Sequence, residues 1–339
     1  MYKIDSLTDE QLAGQRLMVG FVDKVLDDDL RFMIREMHAG GLILFKRNIS
    51  DPSQLAELCR EAQACAVESG NPRLMIAIDQ EGGPVARLGP PFTIFSGNRS
   101  MGAAGSETAA REFGTITARE LKGVGINMNL APVLDVAPKG LNSIMADRVF
   151  GEEPKLAARL GKAIIETLQD NGIPATAKHF PGIGRTITDS HVDLPCLDVE
   201  QRVLDSTDLV PFRAAIACGV EAVMLSHVVY QDLDPVWPAS LSSTIAKDLL
   251  RETMGFKGIT LTDDLDMGAI DKHFDIETTV KKISDAEIDI ALICHDRLKM
   301  EKAYQAFLKA TAVSGDARRK AAASVRRILN LKRKYLREP

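Results

Sequence analysis

The feature that most limits what this chain can fold into is a rhythm of eight short apolar runs, separated by stretches with helical periodicity. The runs fall at 17–21, 42–45, 74–78, 127–132, 173–177, 222–225, 259–261 and 290–294. They are hydrophobic almost throughout, as strands covered on both faces are. The stretches between them carry helix signals. Thr8 and the Asp51-Pro52 pair open helices. Leu30, Met33, Ile34 and Met37 share one face, and Gly40-Gly41 ends that segment. Alternation of this kind gives a parallel sheet, either closed into a barrel or doubly wound.

The placement of polar residues separates the two. Asp79, Asp135, Lys178, His227 and Asp263 each follow a strand. A doubly wound sheet gathers its site at one switch point, whereas a barrel draws on all its strand ends. The expectation is therefore an α/β fold, a (β/α)8 TIM-type barrel, with residues 1–339 as one domain. No linker, repeat or low-complexity tract divides the chain. The terminal helix, 316–337, is expected to dock on the outside through Val325, Ile328, Leu329 and Leu331. Its run of Arg and Lys up to Arg337 reads as a solvated face, with a weak membrane-surface or polyanion contact as the sharper alternative.

Composition narrows the function classes. The net charge of -5 gives no electrostatic case for a nucleic-acid partner. No apolar run approaches the ~18 residues needed to cross a bilayer, and the polar start at residues 1–5 shows no secretory signal. The five cysteines are odd in number and scattered, as buried thiols in a reducing cytosol are.

The chemistry concentrates in two stretches. Lys178-His179-Phe180-Pro181-Gly182 leads into Asp189-Ser190-His191, a polar loop expected just past the fifth strand. Asp263-Asp264 closes the seventh strand; alternation along a strand would let only one of the pair face the barrel mouth. A metal is disfavoured. There is no H-E-x-x-H, and Lys178 beside His179, His191 and Asp189 would repel a cation. No phosphate-binding glycine loop and no nucleophile elbow is present. A mouth lined with Asp, Arg, Lys and His suits a small polyhydroxylated ligand. Taken alone, each of these residues could equally cap a loop.

Five motifs occur in register: IDQEGG at 78–83, LAPVLDV at 130–136, KHFPG at 178–182, DSH at 189–191 and TDDLDM at 262–267. With Leu44-Phe45-Lys46-Arg47-Asn48 and Asp147-Arg148-Val149-Phe150-Gly151, the chain resembles glycoside hydrolase family 3, in its single-domain β-N-acetylglucosaminidase branch. The resemblance implies a retaining exo-hydrolase that releases terminal β-linked N-acetylglucosamine from peptidoglycan fragments. It implies Asp263 as nucleophile, His191 as general acid/base and Asp189 as its orienting partner. Asp79, Arg87, Arg148, Lys178 and His179 match the sugar-binding positions. The expected protein is a cytoplasmic, cofactor-free monomer acting on a muropeptide-like carbohydrate, without nucleic acid or stable membrane insertion.

The chemistry agrees with the assignment. Retention needs a nucleophile on one face of the sugar and a proton donor on the other. An imidazole, with an unperturbed pKa near ~6.5, can give and take a proton near neutrality. Such a donor carries no negative charge to repel phosphate, so a phosphorylase or a β-glucosidase stays open, as does a sugar-binding barrel without turnover. The chain also departs from the family at Ile183, Arg185, Pro84 and Asp266, where His, a variable or acidic residue, Arg and Ser are usual. The first two put the geometry of the 182–188 loop in question.

Overall fold

The computed structural model describes residues 4–336. Residues 1–3 of the polar start and Arg337 of the basic run lie outside the described residues. The apolar runs become strands β1 Leu17–Val19, β2 Gly41–Leu44, β3 Met75–Ile78, β4 Met128–Asn129, β5 Thr176–Phe180, β6 Ala222–Leu225, β7 Ile259–Asp264 and β8 Ile290–Ile293. Main helices are α1 Asp28–Arg35, α2 Pro52–Glu68, α3 Glu107–Gly123, α4 Pro154–Asp170, α5 Leu209–Ala217, α6 Ile276–Asp285, α7 Arg297–Ala312 and α8 Gly315–Tyr335. The segment Thr244–Thr253 between β6 and β7 is wound as a π-helix.

The eight strands form one parallel sheet in the order β4-β3-β2-β1-β8-β7-β6-β5. Parallel bridges Asn129↔Ala175 and Val133↔Lys178 join its two edges and close the ring. This is the (β/α)8 barrel expected from the polar residues that follow so many of the strands.

Alternation along each strand divides the core in two. Inward residues such as Met18, Ile43, Met75, Met128, Met224, Leu261 and Leu292 pack together inside the barrel. Their neighbours Leu17, Val19, Leu42, Leu44, Ile76 and Ile78 pack outward under the helices. Both faces of each strand are thus buried, which accounts for the continuous hydrophobic runs. Helix starts follow local chemistry: Asp51 accepts the amides of Ser53 and Gln54 with Pro52 in the first turn, and Ser106 and Asp275 cap α3 and α6.

Several boundaries differ from expectation. Strand β5 starts at Thr176 rather than 173 and runs on through Phe180, because Pro174 has no amide to give the ladder. Lys178 and His179 therefore sit on the barrel wall itself, not on the loop beyond it. Between β5 and β6 the chain forms two helices rather than one, Gln201–Ser206 and α5. Pro211 in the first turn of α5 favours a fresh start there, and the break leaves buried Asp208 free to face Arg185.

The terminal helix α8 does more than lie along the exterior. Its Ile328 and Leu331 join the inward cluster of barrel residues, while Val325 and Leu329 pack on Leu7 and Leu12. Of its basic run, Arg327 and Lys332 are tied into the fold, while Arg318, Arg319, Lys320, Arg326, Arg333 and Lys334 stay exposed as the solvated face expected. Arg327 pairs at 2.7 Å with Asp289, which is fully buried, and Arg318 pairs at 2.8 Å with Asp9. Arg319 pairs with Asp316, and Lys334 with Glu221. The Lys332 ammonium is buried against Gln15 Oε1 at 2.6 Å and the Gly40 carbonyl at 2.8 Å, and burial lowers its pKa to about 7. Since Ile328 is 1% exposed, Ile328→Ala should cost about 2–5 kcal/mol by leaving a cavity at the barrel floor, read as a lowered urea midpoint with an unchanged slope.

Candidate active site

The C-terminal ends of the strands surround a cavity of about 310 Å³. Its lining includes Asp79, Arg87, Arg148, Lys178, His179, His191 and Asp263, all singled out from the sequence. Asp189 lies just behind, holding His191. Phe45, Asp264, Met267, Cys294 and His295 complete the wall.

The base of the site is a charge cluster. Lys178 is 2% exposed, and its Nζ lies 2.7 Å from Asp79 Oδ1 and 2.6 Å from Glu81 Oε1. Arg87 holds the other Asp79 oxygen at 3.0 Å, and Arg148 grips Glu81 at 2.7 and 3.0 Å. Burial by itself would push both carboxyls up. The Lys178 ammonium and the two guanidiniums more than offset it, so both sit below the ordinary carboxylate value. Burial likewise works against the Lys178 ammonium, and the two carboxylates outweigh it, raising its pKa. These pairings hold the donors and acceptors of the mouth in place before any ligand arrives.

The adjacent residues Lys178 and His179 both face the cavity, as do Asp263 and Asp264. Regular alternation would forbid this. The ladder shifts register between Ala177 and Phe180 on β5, and again between Leu261 and Asp264 on β7. Each irregularity turns two neighbouring side chains to the same side. The expectation that only one acid of the Asp263-Asp264 pair reaches the mouth is thereby corrected.

Each carboxylate has a distinct environment. Asp263 keeps one oxygen on the Asp264 amide at 2.8 Å. Burial would raise its pKa, but His179 and His227 nearby more than compensate and leave it lowered, so Asp263 is ionised at neutral pH. Asp264 is the opposite case: burial, with repulsion from Asp266 and Asp263, raises its pKa to about 7. Two adjacent acids are driven apart in proton affinity, a pattern that goes with division of labour.

The imidazoles are held in different ways. His179 Nδ1 lies 2.8 Å from Asp135 Oδ2, and the other Asp135 oxygen accepts the Ile183 amide at 2.7 Å. His191 Nδ1 lies 2.8 Å from Asp189 Oδ1, which also accepts the His191 amide at 2.9 Å. That leaves His191 Nε2 as the nitrogen able to exchange a proton with a ligand, on a side chain 69% exposed. His227 spends both nitrogens, on Ser240 Oγ at 2.7 Å and the Asp264 carbonyl at 2.8 Å, and stays in the wall.

The 182–192 loop is fastened at both ends. At its root, Asp135 takes the Ile183 amide, Tyr230 donates to the Gly182 carbonyl at 2.8 Å, and Arg185 reaches Asp208 at 3.0 Å. At its tip, the amides of Gly268 and Ala269 donate to the His191 and Ser190 carbonyls at 3.1 and 3.0 Å. A Cβ on Gly268 would meet the Val192 carbonyl at 2.6 Å, so glycine there lets the loop lie down. Ile183 is buried and Arg185 has its own acid, so these departures from the family pattern serve as anchors. Asp266, where Ser is usual, accepts the amides of Cys294, His295 and Asp296 at 3.2, 2.7 and 3.1 Å and an ion pair from Lys299 at 2.8 Å. Sequence reasoning marked Glu81 and Asp135 only by their places in strand-end motifs, without a role for either, and passed over His295. The sign available for each was its place at or just past a strand end.

Among the described residues no cluster of His, Cys, Asp or Glu has the arrangement to hold a metal ion. His179 and His191 each face a separate carboxylate.

Removing Lys178 would strand two buried carboxylates. Lys178→Met should cost about 3–5 kcal/mol at pH 7. Because Asp79 and Glu81 are held below their ordinary values, their contribution is present in full above about pH 5 and is lost progressively as pH falls below about 4 toward their lowered folded values. The difference between variant and wild type should therefore shrink on acidification, as read by urea unfolding at pH 7 and at about pH 3.

Comparison with known proteins places this geometry. Residues 8–331 match the glycosyl hydrolase family 3 N-terminal domain. A β-hexosaminidase from Thiobacillus denitrificans is 38% identical over 288 residues, covering 82% of this chain and 78% of that protein. A family 3 β-N-acetylglucosaminidase from Paenibacillus sp. str. FPU-7 superposes with a TM-score of 0.94 at 40% identity, over 98% of this chain but 63% of the longer Paenibacillus chain. NagZ from Neisseria gonorrhoeae superposes with a TM-score of 0.77 at 29% identity, covering 93% and 97% of the two chains. By the extent of the match and the motifs that line its mouth, the chain belongs to glycosyl hydrolase family 3.

Proposed function

We propose that this glycoside hydrolase is a retaining exo-β-N-acetylglucosaminidase in which Asp263 and His191 act from opposite sides of one sugar ring. The observation that carries this reading is their convergence on one small cavity, Asp263 ionised in the wall and His191 exposed on a tethered loop. The first step forms a bond between an Asp263 oxygen and the anomeric carbon as the glycosidic bond breaks. The proton on His191 Nε2 passes to the departing oxygen. Water then attacks the same carbon, gives its proton to His191 and releases Asp263.

Asp189 serves this exchange by accepting from Nδ1, which fixes the ring and stabilises its charged form. The Asp79, Arg87, Arg148, Lys178 and His179 group binds the sugar's hydroxyl and acetamido groups. Its internal ion pairs hold these side chains in position, so little ordering is left for binding to supply. The activities of the relatives named above support N-acetylglucosamine as the sugar. Peptidoglycan fragments are the proposed source, with a cytoplasmic monomer acting on them. Residues 1–339 function as one barrel domain.

His191→Ala should lose about 10²–10⁴-fold in kcat/KM on an alkyl β-N-acetylglucosaminide. It should lose much less on an aryl substrate whose leaving group needs no proton. Equal losses on both would remove the proton-donor role. Asp263→Ala should be inactive on either, and a 2-fluoro sugar should leave a covalent adduct on Asp263 of the wild type. Product analysis with and without phosphate distinguishes hydrolysis from phosphorolysis: free sugar in both supports the reading, and sugar-1-phosphate overturns it.

A further inference from the structure

His295, just past β8, is positioned by three contacts. Asp266 Oδ2 accepts its amide at 2.7 Å, fixing the backbone. Phe45 lies against its ring, with centroids 5.3 Å apart. The guanidinium of Arg47 stands 3.0 Å from His295 Nδ1 while also donating to the Cys294 carbonyl at 2.7 Å and the Phe21 carbonyl at 2.8 Å. A guanidinium can only donate, so Nδ1 must accept and the ring hydrogen must sit on Nε2.

Among the described residues, that Nε2–H has no partner within hydrogen-bond range. The nearest carboxylate oxygen, Asp264 Oδ2, is 3.6 Å away. Asp264 itself is anchored through its other oxygen, Oδ1, which accepts the amides of Asp266 and Cys294 at 3.0 and 3.1 Å. Both residues line the cavity beside Asp263. A 3.6 Å gap is too long for a direct bond, yet it lets one oxygen atom rest against both groups at once.

We propose that Asp264 and His295 form a clamp for a single hydroxyl of the bound sugar, on the β7 and β8 side of the mouth. The hydroxyl donates to Asp264 Oδ2 and accepts from His295 Nε2. This satisfies both of its hydrogen-bonding roles with one residue each, and selects a hydroxyl over a hydrogen or an ether at that position. Arg47 and Asp266 are positioning residues: one sets the tautomer and the other the backbone. The inference rests on the sugar-hydrolase reading above and adds a specificity determinant to it.

The test uses inhibition of aryl β-N-acetylglucosaminide turnover by N-acetylglucosamine and by its 3-, 4- and 6-deoxy analogues. In the wild type, one analogue should bind at least about 5- to 10-fold more weakly than the parent sugar, the scale of one lost hydrogen bond, since it forfeits both. In His295→Ala the parent sugar should weaken and its advantage over that analogue should narrow without vanishing, because the hydroxyl still donates to Asp264. Asp264→Ala combined with His295→Ala should bring the parent and that analogue to about the same affinity, because neither partner of the hydroxyl is left. His295→Asn, which keeps a donor, should recover part of the affinity. Wild-type turnover with unchanged inhibition constants in His295→Ala, at an unchanged melting temperature, would overturn the clamp alone. Absence of turnover and of sugar binding in the wild type would instead overturn the hydrolase reading. The side chain of His295 is 53% exposed, so its replacement should not unfold the barrel.

Discussion

The site depends on one electrostatic arrangement: the Lys178 ammonium held between Asp79 and Glu81, with Arg87 and Arg148 on the outer flanks. Five charges drawn from β5, the end of β3 and two loops are pinned against each other. Desolvating them costs free energy that is recovered only when every member is present. The consequence for function is rigidity. Side chains that would be mobile as isolated groups are presented as a fixed array of donors and acceptors.

The barrel makes this arrangement possible. Its interior is apolar below, with Met18, Met75, Met128 and Met224 among its fillers and Ile328 and Leu331 of α8 joining from the terminal helix. Polarity is confined to the strand ends above. Because the apolar layer excludes water beneath the site, acids at its upper boundary feel burial strongly. The fate of each then turns on its neighbours. Asp263 has imidazoles beside it and is held ionised, while Asp264, one residue on, has other acids beside it and titrates near 7. Similar covalent groups on one strand acquire different chemistry from surroundings a few ångströms apart.

The imidazoles are distributed by the same logic. Three of them are oriented by a partner at Nδ1, a carboxylate for His179 and His191 and a guanidinium for His295. The partner determines which nitrogen the ligand meets and whether that nitrogen can exchange a proton or only donate one. A carboxylate partner stabilises the charged ring and suits proton transfer. A guanidinium partner disfavours the charged ring and suits neutral donation. The exposed His191 loop gains its precision from backbone ties to Gly268 and Ala269 rather than from burial.

Much of this was legible in the chain itself. Local hydrophobic pattern determined the number and order of strands, because burial on both faces demands continuous apolar runs, and the closing of the barrel followed from polar residues at many strand ends. The motifs around Asp79, Lys178, Asp189, His191 and Asp263 marked the mouth. Tertiary structure alone decided which neighbours share it. The register shifts that turn Lys178 with His179, and Asp263 with Asp264, to one side arise from pairing with adjacent strands and contradict simple alternation. The break at Thr207-Asp208, the descent of Ile328 and Leu331 to the barrel floor, and the Arg47–His295 contact join residues far apart in the chain. Periodicity records only whether a side chain is buried, whereas a proton's position and a hydrogen bond's partner depend on which distant atoms arrive within about 3 Å.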